Sequence, residues 1–166
     1  MLHWRQMREG DLSEVMRLAQ SVHQELYESE AVFAERLKLF PKGCLILSSD
    51  KRIEGYVFSH PIRRCQPPAL NTMLLELPCD TDSYFFHDLV VAPACRRSGH
   101  AIEGITRLLS IAKSFQTTSL IAVYGTSKFW TRFGFVPAQE RMCNKLASYG
   151  KNVVYMLRDN TRPTGC

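Results

Sequence analysis

The chain has no apolar run that approaches the length of a membrane span, so none of its helices is expected to cross a bilayer. Its opening residues, MLHWRQMREGD, turn polar too early for a secretory signal, and the expectation is a cytoplasmic protein. There is no C-x-x-C pair and no histidine pair to complete a zinc pattern. The cysteines at 44, 65, 79, 95, 143 and 166 are scattered, and read as reduced, mostly buried small apolar residues; no metal is expected. Among them only Cys95, beside two arginines, has an obvious neighbourhood for lowering a thiol pKa. Neither Gly-x-Gly-x-x-Gly nor Gly-Lys-Ser/Thr occurs, which excludes the dinucleotide and P-loop phosphate turns. Internal repeats, low-complexity segments and linkers are also absent.

Positive charge is in modest excess, with a formal net charge of +5. That suits an anionic partner: nucleic acid, an acidic membrane surface or a phosphorylated small molecule. The only adjacent arginine pairs are at 63–64 and 96–97, however, and no aromatic platforms interleave with a basic stripe. Neither nucleic acid nor a membrane is therefore an expected partner.

What is present reads as one domain over residues 1–166, long enough for a sizeable core. A short strand precedes Gly10, and Asp11 is placed to cap a helix with Glu14 as its capping partner. Leu12, Val15, Met16, Ala19 and Val22 recur at helical spacing. A second helix fits Ser29 to Phe40 and stops at PKG. CLILSS and IEGYVFSHP, joined by DKR, form a hairpin; IRRCQPPALN is loop, and MLLELP is either a strand or a short helical turn. SYFFHDLVV is a strong strand, a helical face runs from His100 to Phe115, and SLIAVYG is a buried strand. SKFWTRF is a short helix closed by Gly134, and VVYMLR a last strand. The result is a mixed α/β (α+β) domain in the order β-α-α-β-β-β-α-β-α-β-β.

Chemistry concentrates in HDLVVAPACRRSGHA, residues 87–101. Arg96, Arg97 and His100 crowd a helix start, where the backbone dipole already places partial positive charge. A strand, a basic glycine turn and free helix N–H groups together make an anion site. Gly99 lets the backbone approach a ligand closely, and Ser98 can cap or donate its hydroxyl. The alternative is a solvated turn with Ser98 as its cap.

VVAPACRRSGHA resembles motif A of the GNAT family of N-acetyltransferases, Arg/Gln-x-x-Gly-x-Gly/Ala after a strand ending in apolar-Val-x-Pro. Arg96, Gly99 and Ala101 occupy its defining positions and Pro93 its proline. FWTRFGF, Phe129 to Phe135, resembles a second family segment, F-Y/W-x-x-x-G-F. With the element order, the resemblance covers nearly the whole chain. It implies a single-domain GNAT fold with a mixed, mostly antiparallel sheet flanked by helices.

The resemblance also implies a function. Acetyl-CoA would be the cosubstrate, its pyrophosphate on the backbone N–H groups from Arg97 to Ala101, with Arg96, Ser98, Gly99 and His100 in the same turn. Its pantetheine arm would run beside Leu89, Val90 and Val91, where a bulge splays this strand from the next, and Ser127 and Trp130 would line it. An amine, most simply that of a small aromatic or aliphatic molecule, would attack the thioester directly. The alternatives are a peptide amine, or a non-catalytic acyl-CoA-binding module. Family members are often dimers, so a homodimer is admitted.

His87 is the candidate base, or else a core histidine. By the period of two it shares a face with Phe85, Leu89 and Val91, and Asp88 points the other way. Similarity to the arylalkylamine group places one histidine at His87 and a second where this chain has Phe85. Asp88 either binds a cationic substrate or anchors a neighbouring loop. Trp130 stands where the family has a proton-donating tyrosine, so the thiolate leaves unassisted or Tyr124 takes over; Tyr124 otherwise packs beside the cofactor arm. Tyr27, Phe33, Phe40, Pro67, Pro68 and Met142 would make an apolar or aromatic acceptor pocket, from the first two helices, the Pro-rich loop and residues 138–152, with much of the set ordinary core.

Overall fold

The structure, a computed structural model, describes residues 1–138 and 146–162; Met142, Cys143 and Cys166 lie outside them. Strands β1 (His3–Gln6), β2 (Cys44–Ser48), β3 (Ile53–Ile62), β4 (Ser83–Val91), β5 (Thr117–Ala122), β6 (Val136–Pro137) and β7 (Val154–Asp159) form one sheet in the order β1-β2-β3-β4-β5-β7-β6. Every pairing is antiparallel except β4 with β5. Helices α1 (Leu12–Val22), α2 (Glu30–Leu39), α3 (His100–Ala112) and α4 (Ser127–Thr131) complete the chain, in the element order the sequence predicts.

Alternation along the strands sends two sets of apolar side chains to opposite faces. Under α1 and α2, Val15, Met16 and Phe33 pack on Ile46, Tyr56, Phe58 and Val90. Under α3 and α4, Ile105, Leu108 and Trp130 pack on Leu47, Val57, Phe86 and Val91. Val57, Ile105, Leu108 and Phe135 are fully shielded, and burying a side chain of that size stabilises the fold by roughly 1.5–3 kcal/mol. No helix among the described residues is long and apolar enough to cross a membrane.

Trp4 fixes the start of α3 against the sheet edge. Its indole N–H donates to the His100 carbonyl at 2.8 Å, and a Cβ on Gly104 would lie 2.8 Å from its ring. The glycine is what lets helix and indole touch.

Two local expectations are corrected. Asp11 does not cap α1: a 3-10 turn, Glu9–Asp11, precedes the helix, and Asp11 itself is already helical. Its carboxylate instead accepts the Arg8 N–H at 2.8 Å and both arms of the Arg5 guanidinium at 2.9 Å. A bidentate arginine outcompetes a single capping bond. MLLELP is neither strand nor helix. The Glu35 carboxylate takes the N–H groups of Leu74 (2.6 Å) and Leu75 (3.0 Å) out of any ladder.

Candidate active site

The site begins with one extra residue in β4. Phe58 of β3 faces Asp88, and Ser59 faces Phe86, so His87 has no partner in the register. This is a β-bulge, and it breaks the alternation of faces. Phe85 and His87 lie with His60 on one side. Asp88 follows on that same side, reaching Tyr56 and His23, with Val90 in the same core. Leu89 and Val91 go to the α3 side. The expected grouping of His87 with Leu89 and Val91, and the expected opposite placement of Asp88, are both overturned by that single insertion.

Parallel pairing of β4 with β5 stops at Phe86 and Leu120. Beyond it β4 stays on β3, β5 stays on β7, and the two strands part. A cleft of about 770 Å³ fills the gap. At one end it meets Arg96, Arg97, Gly99 and Ala101; along its length lie Leu89, Val90, Val91, Tyr124 and Trp130; at the other end are Glu28, His87, Leu70 and Tyr149. Of the residues expected in the site, Ser98, His100 and Ser127 are not part of the lining. The Ser98 hydroxyl turns back to the carbonyls of Cys95 and Arg96, at 3.3 and 3.4 Å.

The turn is shaped by left-handed backbone at Arg97 (φ 66°) and Gly99 (φ 82°), the latter capping α3. Arg96 Nε donates to the Val91 carbonyl at 2.9 Å, tying the turn to the end of β4. A Cβ at Gly99 would meet no atom within 4 Å, so the space over the helix end is open to a guest. Free N–H groups of the first helical turn, an open glycine and Arg97 fit a phosphate-bearing ligand. Cys95 corrects an expectation: burial and then the Glu54 carboxylate push its thiol pKa up, against a smaller lowering by Arg52.

At the far end the His87 side chain is shielded from solvent, with Nε2 2.6 Å from Glu28 Oε1. The other Glu28 oxygen accepts the Asn71 N–H at 3.0 Å. His87 Nδ1 is buried with no hydrogen-bond partner among the described residues. The ring of His60, which lies opposite Phe85 in the register, is 6.3 Å from that of His87. A histidine pair is thus present, but its second member comes from β3. His60 Nδ1 lies 2.9 Å from the Pro61 carbonyl. Burial foremost, with smaller lowering by His87 and Arg36, pushes its pKa down to about 3 against that hydrogen bond.

Asp88 is an anchor. Its oxygens take the Tyr56 hydroxyl at 2.7 Å and His23 Nε2 at 2.9 Å. Burial lowers the His23 pKa, but the Asp88 hydrogen bond and charge, with Glu28 behind them, outweigh it and hold it above 6.5. His23 Nδ1 is 3.0 Å from the Tyr124 hydroxyl, whose own pKa is raised by burial, Asp88 and Glu25.

The expected acceptor pocket is largely core. Phe33 stacks on Phe58 at 4.5 Å between centroids, Phe40 meets Tyr84 edge-on at 6.0 Å, and Tyr27 is exposed. Val22, Leu26, Leu70 and Tyr149 form that wall instead. His23, Glu28 and His60 carry no sequence signal of their own: each reaches the site through tertiary packing alone. No group of three or more metal-ligating side chains occurs among the described residues.

No family model matches the sequence, and no curated protein sequence does. Solved structures do. The loading GNATL domain of CurA from Lyngbya majuscula superimposes with a TM-score of 0.76 at 12% identity, covering 96% of this chain and 98% of that one. A GNAT family acetyltransferase from Brucella melitensis, in complex with acetyl-CoA, gives 0.60 at 15% identity, covering 98% and 90%. Arabidopsis thaliana Naa50, in complex with the bisubstrate analogue CoA-Ac-MVNAL, gives 0.67 at 12% identity, covering 95% and 98%. Likeness at such identity is a likeness of fold: the chain has the GNAT fold, with its sheet opened between β4 and β5.

Proposed function

We propose that the protein is an acyltransferase that moves an acetyl group from acetyl-CoA to a primary amine. The observation that carries this reading is a single cleft joining the open glycine turn of α3 to the buried His87–Glu28 pair. The acetyl-CoA and bisubstrate complexes of the Brucella and Arabidopsis structures support it.

The N–H groups from Arg97 to Ala101 and the Arg97 guanidinium would hold the pyrophosphate. Arg96 keeps the turn against β4 through its bond to Val91. The unpaired edge of β4 at Leu89, Val90 and Val91 offers peptide groups to the pantetheine amides, and an N–H there can polarise the acyl carbonyl. Acetyl-CoA supplies the thioester that the amine attacks.

An alkylamine is mostly protonated at neutral pH, so its proton must be removed before attack. Ionised Glu28 can only accept a hydrogen bond, so His87 Nε2 carries hydrogen and Nδ1 carries the lone pair. Nδ1 takes the proton, and Glu28 stabilises the imidazolium that forms. The neutral His60 does not compete for it.

The acceptor is a small-molecule amine with an apolar body, which Val22, Leu26, Leu70 and Tyr149 would enclose. A peptide amine is the second reading, favoured by the likeness to Naa50. Titration with acetyl-CoA should raise the melting temperature, because a ligand bound only by the folded state stabilises it. Thiol release over a panel of small amines and short peptides then chooses the acceptor. No shift and no release would reject the reading.

A further inference from the structure

His23 ends α1, and its ring is held from two sides by groups on other elements. It stacks on Tyr124, with centroids 5.8 Å apart and an interplanar angle of 17°. Nδ1 lies 3.0 Å from the Tyr124 hydroxyl and Nε2 lies 2.9 Å from Asp88, whose second oxygen is fixed by Tyr56. Tyr124 sits at φ 55°, a left-handed conformation costly for a non-glycine residue, so its surroundings hold it there. Asp88 reaches this cluster because of the bulge at His87.

The direction of the hydrogen bonds depends on one proton. Ionised Asp88 accepts from His23 Nε2–H in either state. When His23 is neutral, Nδ1 is a lone pair, and the Tyr124 O–H must point at it. When His23 is an imidazolium, Nδ1–H donates to the Tyr124 oxygen, and the phenol hydrogen is released toward the cleft. Protonated His23 therefore turns Tyr124 into a proton donor facing the ligand.

Resting on the acetyl-transfer reading, the geometry points to His23 as the source of the proton that leaves with the thiol product, relayed by Tyr124 and positioned by Asp88 and Tyr56. The His23 Nδ1–H bond breaks as an O–H bond forms on Tyr124. The original Tyr124 O–H breaks as an S–H bond forms on the departing thiolate, which supplies the electron pair. His23 ends neutral, Tyr124 is unchanged and Asp88 stays ionised. Solvent then reprotonates His23, whose side chain is 11% exposed. This relay fills the role left open by Trp130, whose indole is no acid.

The groups facing His23 suit an imidazolium: Asp88 from β4, backed by Tyr56 of β3; Tyr124 after β5, itself near Glu25; and Glu28 from the α1–α2 connection. With its pKa raised above 6.5, the donor is charged below that raised pKa, and activity is lost as pH rises through it.

Nuclear magnetic resonance titration of the ligand-free protein should show His23 titrating above 6.5, and lower in Asp88→Asn. In His23→Gln and in Tyr124→Phe, kcat should fall roughly 100-fold with KM for acetyl-CoA little changed. The basic limb of the kcat profile should vanish in both, and the double variant should be no slower than either single one. A His23 pKa below 6.5, a basic limb retained in His23→Gln, or additive losses would overturn the relay. Absence of any acetyl-CoA-dependent rise in melting temperature in the unaltered protein would overturn the acetyl-transfer reading, and the relay with it. A normal rise with an unaltered pH profile in His23→Gln would overturn the relay alone.

Discussion

Glu28 and His87 are 59 positions apart in sequence, yet their side chains meet at 2.6 Å in the closed end of the cleft. Glu28 also holds the Asn71 N–H, so the carboxylate is fixed from two directions.

His87→Ala should reduce kcat/KM by at least ~100-fold at pH 7. The deficit should shrink toward pH 9, where more of the amine is already free. Glu28→Gln keeps the shape and removes the charge that supports the imidazolium, and should lower kcat in the same pH-dependent sense. Initial rates at several pH values decide; a uniform loss would remove the base role.

Gly99→Ala adds a Cβ to open space, but at φ 82°. The left-handed backbone costs a side chain roughly 1 kcal/mol, a small loss of stability. On the proposed function, the methyl group would stand where the pyrophosphate approaches. Calorimetry should show acetyl-CoA affinity falling at least tenfold, with only a few degrees lost in melting temperature.

Gly104→Ala acts through packing. Its Cβ would fall 2.8 Å from the Trp4 ring, far inside contact distance, and Trp4 is buried. Overpacking of this kind costs roughly 1–3 kcal/mol, more than the helix propensity gained from alanine. Denaturant unfolding should show the loss, and Gly104→Ala with Trp4→Phe should recover part of it.

His60 makes the fold acid-sensitive. Its folded pKa of about 3 lies below the ordinary 6.5, so the unfolded chain takes up a proton that the folded one refuses. The stability it contributes is complete above 6.5 and drains as pH falls toward 3, at up to about 1.4 kcal/mol per pH unit. His23 has the opposite sign: its contribution is complete below 6.5 and lost as pH rises through its raised value. Urea unfolding at pH 7 and pH 5 should show a loss that His60→Phe reduces.

Element order was legible because strand and helix periods differ and turn residues punctuate them. SYFFHDLVV and the Gly99 turn were legible as one strand and one helix start, and the structure brings both to the same cleft. The family resemblance implied a bulge in this strand, but its position at His87 was not legible, since alternating side chains look the same on either side of an inserted residue. His23, Glu28 and His60 were hidden for another reason: nothing local distinguishes a histidine at a helix end, or a glutamate before the Ser29 cap, from a solvated one. Leu74 and Leu75 misled because a carboxylate from α2 took the N–H groups a strand would have used.

The unpaired position of His87 makes the second half of β4 behave like a reading frame. Substitutions there change one side chain at a time, but losing one residue between Phe86 and Asp88 would rephase all that follows. Asp88 and Val90 would turn toward α3, Leu89 and Val91 toward α1, and the Tyr56–Asp88–His23 cluster and both cores would fail together. The Tyr56–Asp88–His23 cluster and the hydrophobic packing share one phase, so this strand can drift in composition far more readily than in length.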